Sequence, residues 1–122
     1  MSEQPETSDL SPFQASIAAI RSNFVSNLGT HLDALEPLVL KISEPQSRAV
    51  AITRVCEISH KIHGVAGTFG FAELGRIATE AELATTAPLP DLQDLDAVES
   101  IIHKVCDLID CIVAIRTEEA AA

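Results

Sequence analysis

The chain has 122 residues, with eight Lys and Arg against eighteen Asp and Glu and a formal net charge of -10. That length fits one domain, and the charge argues against nucleic acid or an anionic membrane surface as a partner, since both need a basic footprint. Hydrophobic residues make up 47% of the chain and aromatics 3%, with no Trp or Tyr, so a core must be built from aliphatic side chains. Three cysteines, Cys56, Cys106 and Cys111, have no C-x-x-C spacing and read as reduced thiols of a cytoplasmic protein, without a zinc site. The opening residues are polar and acidic, unlike a signal peptide, and no apolar run approaches the roughly 20 residues that span a bilayer.

Residues 1–10 are expected to be a flexible polar tail. Ser11-Pro12 then offers an N-cap followed by proline at the first helical position. Phe13, Ile17, Ile20, Phe24 and Leu28 recur at helical spacing, and the pattern continues through Leu32, Leu35, Val39 and Ile42. Gly29 or Pro37 is a candidate kink, and Ser43-Glu44-Pro45 ends the run. A second helix is predicted from near Gln46 to about Phe69, and a third over roughly Ala72–Thr85 with Leu74, Ile77, Ala78, Ala81 and Leu83 as its buried stripe. After a break at Ala87-Pro88-Leu89-Pro90, the last helix carries a seam of Leu95, Val98, Ile102, Val105, Ile109 and Ile112. The expected fold is all-α: an antiparallel, up-down-up-down four-helix bundle over residues 11–117 with an N-terminal helical extension. Residues 118–122 are expected to fray as a flexible C-terminal tail.

The second helix carries the chemistry. With His60 at the top of a helical wheel, Ala51, Val55, Ile58, Ile62, Val65, Ala66 and Phe69 fall within roughly 60° of the opposite pole. That stripe must face the core, so His60 points to solvent, with Thr53, Cys56, Glu57, His63, Gly64 and Gly67 on its own face. Two glycines on the exposed face of a helix each cost about 1 kcal/mol relative to alanine. They strip the backbone beside His60, so that another protein's surface can approach the ring. An exposed imidazole is largely neutral at pH 7 and therefore nucleophilic.

The run His60-Lys61-Ile62-His63-Gly64-Val65-Ala66-Gly67-Thr68-Phe69-Gly70 resembles the signature of histidine phosphotransfer domains. That signature is a phosphorylated His, then an aliphatic residue, a basic residue and Gly, followed by small residues and a Gly ten positions on. Leu74 and Glu82 fall where the family tends to have leucine and an acidic residue in the next helix. The resemblance implies that His60 is the phosphoacceptor and that Gly64 clears space for the phosphoryl group and the partner's active site. The family usually has Lys or Arg where this chain has His63, and an imidazole carries only a partial charge near neutrality. Lys61 sits about 100° round the helix, with a stem long enough to reach.

The chain has no glycine-rich nucleotide loop and no acidic cluster suggestive of a Mg²⁺ pocket, so it is not expected to phosphorylate itself or to hold a cofactor. The implied partners are receiver domains of response regulators, whose aspartate and Mg²⁺ supply the catalysis, and a sensor or hybrid histidine kinase. The protein reads as a monomeric phosphocarrier and not an enzyme. Two rival readings use the same face: a docking module that carries no phosphate, and a metal-binding bundle using Cys56, His60 and His63. Gly70 is expected to end its helix in a left-handed cap, Phe69 and Phe71 to pack in the core, and His31 and His103 to have no function.

Overall fold

A computed structural model describes residues 11–86 and 91–121. It contains α1 (Pro12–Ser43), α2 (Arg48–Ala66), a 3₁₀ turn at Gly67–Phe69, α3 (Ala72–Thr85) and α4 (Leu95–Ala121). Each helix packs on its neighbour in the chain and α1 closes on α4, which gives the antiparallel four-helix bundle. The tail at 1–10 and the break at 87–90 lie outside the described residues.

Ser11 opens α1 with a reciprocal cap. Its hydroxyl accepts from the Gln14 amide at 3.1 Å, and the Gln14 side chain accepts from the Ser11 amide at 3.1 Å. The helix runs unbroken through Gly29 and Pro37. Pro37 is exposed, and bare backbone at Gly29 receives the Arg116 guanidinium of α4, which would stand 3.0 Å from an added Cβ. The expected N-terminal extension is therefore the first part of α1 itself.

The core is aliphatic, built from Leu28, Leu35 and Ile42 of α1, Ile52, Val55, Ile58 and Ile62 of α2, and Val98, Ile101, Val105, Leu108 and Ile112 of α4. From α3 it takes Leu74, Ala78 and Ala81. Several expected core positions are not in it. Phe13 is 74% exposed, and Ile17 and Ile20 are exposed as well, because the 32-residue α1 extends beyond the 19-residue α2 and the 14-residue α3. Leu83 and Leu95 are exposed, and Val65 is 40% exposed where α2 gives way to the 3₁₀ turn. On α4 the seam runs through Ile101 and Leu108, with Ile102 and Ile109 flanking it. The second helix, expected to begin near Gln46, starts at Arg48.

The expected fraying from Glu118 is also corrected: α4 stays helical through Ala121. Arg21 of α1 donates to both Glu119 oxygens, at 2.9 and 3.2 Å, and its guanidinium lies 4.8 Å from the centroid of the Phe71 ring. Phe24 packs between Phe69 and Phe71 at centroid distances of 5.7 and 5.9 Å. These rings anchor the α2–α3 turn, where Gly70 takes the left-handed φ of 85°.

The opposite end is held by a buried cation. Arg48 donates through Nε to the Ile42 carbonyl at 2.7 Å and through its terminal nitrogens to the carbonyls of Leu92 at 2.7 Å and Ser43 at 3.2 Å. It thus caps the last turn of α1 and ties down the approach to α4. Arg48→Met leaves those carbonyls without their donor and is expected to cost about 2–3 kcal/mol, read as a lower urea midpoint at unchanged slope.

His31 on α1 is half-buried, and its imidazole is held below the ordinary value, first by burial and then by the positive charges of Lys61 and Arg54 on α2. The unfolded chain then binds a proton there more readily than the folded one, so stability is full above the ordinary imidazole pKa and is lost as pH falls below it. Between about pH 7.5 and about pH 5.5, wild type is expected to lose more stability than His31→Gln, measured by urea midpoints at both values.

Candidate functional site

The site lies on the face shared by α2 and α3. Their approach is close where α3 offers Gly75 to its neighbour; a Cβ added at Gly75 would meet the Ala66 Cβ at 3.6 Å. On α2, the sequence interleaves the buried Val55, Ile58, Ser59 and Ile62 with the exposed Glu57, His60 and Gly64. The helix therefore turns its core stripe inward and His60 outward. The His60 side chain is 69% exposed.

What the wheel did not reveal is a carboxylate beneath it. Glu82 of α3, only 20% exposed, places Oε2 at 2.7 Å from His60 Nδ1 and Oε1 at 2.6 Å from His63 Nδ1. The two rings meet edge to face with centroids 5.4 Å apart. The His60 contact is a hydrogen bond. The His63 contact is equally short but off the hydrogen-bond line, and that nitrogen is shielded from solvent. A signal for this pairing exists in the sequence: His60 stands eleven residues before Phe71 and Glu82 eleven after it. In an antiparallel hairpin folded at Phe71 those positions face each other. Cys56 and Thr86 obey the same symmetry, with Sγ and Oγ1 3.5 Å apart.

A carboxylate can only accept, so Nδ1 of His60 carries the proton and donates it to Glu82. In the neutral ring this leaves the lone pair on Nε2, on the exposed side chain. The tautomer is thus set by Glu82 of α3. Beside the ring, an open groove is lined by Thr53, Cys56, Glu57, Glu82, Thr85 and Thr86.

The remaining expected site residues divide in two. Gly64 and Gly67 are both exposed, and a Cβ added to either meets nothing within 4 Å, so the bundle itself does not require glycine there. Lys61 is exposed and forms no ion pair among the described residues; its charge acts on His31 of α1, away from Glu82. For a metal, the set brought together is His60, His63 and Glu82, in which the carboxylate stands where the sequence reading had Cys56. Ser59 Oγ is buried and has no hydrogen-bond partner among the described residues.

No helix among the described residues is long and apolar enough to cross a membrane. No curated protein and no solved structure matches the chain. The family model of the Hpt domain matches residues 19–117, a span that contains every element of the site. Hpt domains are phosphocarrier modules of histidine phosphorelays and interact with receiver domains and histidine kinases. With that match and the four-helix bundle built around an outward-facing histidine, the chain belongs to the Hpt domain family.

Proposed function

We propose that Nε2 of His60 accepts a phosphoryl group and passes it on, relaying it between receiver domains or from a sensor or hybrid kinase to a response regulator. The observation that carries this reading is the 2.7 Å hydrogen bond from Nδ1 to Glu82 on an otherwise exposed ring. As Nε2 attacks, the N–P bond forms and the P–O bond to the donor aspartate breaks, with the electron pair leaving on the aspartate carboxylate. The ring then carries a positive charge shared over both nitrogens, and the Glu82 carboxylate beside Nδ1 stabilises it. The partner's Mg²⁺ neutralises the phosphoryl oxygens on the donor side.

On this side, His63 takes the place of the fixed basic residue implied by the family resemblance. Its Nδ1 faces Glu82, and Nε2 donates to a phosphoryl oxygen when the ring carries both protons. Lys61, about 100° round the helix, acts at longer range. Gly64, one turn beyond His60, clears the path of the partner's active site, and Gly67 extends that clearance. The domain supplies the nucleophile and its orientation, while its partners supply the catalysis.

Incubation with a cognate kinase and labelled ATP, or with a phosphorylated receiver domain, is expected to give acid-labile, alkali-stable label on the wild type. His60→Gln, with its helical spectrum unchanged, is expected to take none; label on that variant would remove His60 as acceptor, and a folded wild type that docks receivers without taking label would leave a docking module. A second experiment separates clearance from fold. Gly64→Gln has room for its Cβ and replaces glycine by a better helix former, so stability is expected to rise by about 0.5 kcal/mol. Transfer from the receiver is expected to fall by roughly a hundredfold because the in-line approach is displaced. An unchanged transfer rate in that stable variant would show that the glycine is not there for docking.

A further inference from the structure

We propose that Nδ1 of His60, Nδ1 of His63 and the Glu82 carboxylate form a binding site for a divalent transition-metal cation of the Zn²⁺ type, and that occupation of this site turns off the His60 nucleophile. One donor atom from each of the three residues lies within 4.8 Å of the others. The two carboxylate oxygens face different rings, at 2.7 and 2.6 Å. The second contact leaves His63 Nδ1 shielded from water against an anionic oxygen, with no hydrogen bond that satisfies it. A cation placed between the rings and the carboxylate supplies what that nitrogen lacks.

Tetrahedral zinc with bonds of about 2.0–2.1 Å spaces its donors about 3.3 Å apart. The two N–O contacts of 2.7 and 2.6 Å widen toward that spacing, and donors that stand up to 4.8 Å apart close toward it by side-chain rotation. Two imidazoles and one carboxylate suit zinc and its neighbours, whereas Ca²⁺ and Mg²⁺ take oxygen-rich shells. Three protein donors leave a fourth position for water, and the exposed side of His60 admits it.

Occupation changes the tautomer. A neutral imidazole has one N–H and one lone pair. When Nδ1 donates to Glu82, the lone pair is on Nε2. A cation bound at Nδ1 takes the lone pair of that nitrogen: the Nδ1 proton leaves to water, and Nε2 takes one up from water. The ring stays neutral and no net proton is released, but Nε2 has become an N–H and cannot attack phosphorus. This consequence rests on the relay reading of His60; the binding of the cation does not.

The test titrates the full, unphosphorylated chain with zinc chloride, followed by calorimetry and by ¹⁵N spectra of the histidine rings. We expect one site per chain that is lost in Glu82→Gln and in His63→Ala, each with wild-type helical content, and kept in Cys56→Ser. The His60 signals are expected to change from Nδ1–H to Nε2–H. A second readout needs no relay partner: diethyl pyrocarbonate acylates an unprotonated ring nitrogen. Saturating zinc is expected to slow acylation of His60 by about tenfold or more, while the exposed His103 reacts at its former rate, both scored by peptide mass spectrometry. Absence of binding, binding that survives Glu82→Gln and His63→Ala, or binding lost in Cys56→Ser overturns the site. Binding with an unchanged His60 tautomer and acylation rate overturns the switch. A chain that binds zinc and changes tautomer but takes no phosphoryl group upholds the metal site and removes the relay reading.

Discussion

The distance between α2 and α3 governs the chemistry of this domain. Helix axes pack about 8–10 Å apart depending on the side chains between them, and here Gly75 of α3 lies against Ala66 of α2. With leucine in place of Gly75, the Glu82 carboxylate would stand too far off to meet Nδ1 of His60. The His60 ring would then lose the partner that fixes its proton, and both nitrogens would sample either state. Packing therefore decides which nitrogen is nucleophilic, although no core residue touches the ring's exposed edge.

One carboxylate serves two imidazoles, and the arrangement is asymmetric. Toward His60 it accepts a hydrogen bond at 2.7 Å, and toward His63 it makes a short contact without one. The first ring is thereby oriented and its proton assigned; the second is kept near without being satisfied. An anion between two rings also balances positive charge that develops on either of them. The negative surface of the rest of the chain, with its net charge of -10, gives no such local compensation.

Much of this was legible because it is local. Ser11-Pro12 announces the start of α1, the spacing from Ala72 to Thr85 marks α3, and the position of His60 opposite an aliphatic stripe follows from 3.6 residues per turn. What stayed hidden depends on neighbours. Phe13, Ile17 and Ile20 repeat like core residues, but periodicity does not say whether a partner helix is long enough to cover them. Leu83 is nine residues from Leu74, which is half a turn round the wheel, so its place in the stripe was an overreach. The Arg21–Glu119 pair that keeps the end of α4 helical joins residues 98 apart. Glu82 was noted only for its place in the family pattern, and its meeting with His60 needed the fold of the hairpin at Phe71.

The Arg21–Glu119 pair has a consequence for geometry beyond the bundle. It sets Arg21, nine residues into α1, beside the end of α4, at the end of the molecule where Phe69 and Phe71 close the α2–α3 turn. From His60 to Gly67 is seven residues, or about 10 Å along the bundle. A module tethered to the end of α4 would thus emerge at that pole, whereas one tethered to α1 would start about 13 Å further out along the helix. Its effective concentration at the His60 ring would depend on which helix end carries it as well as on tether length.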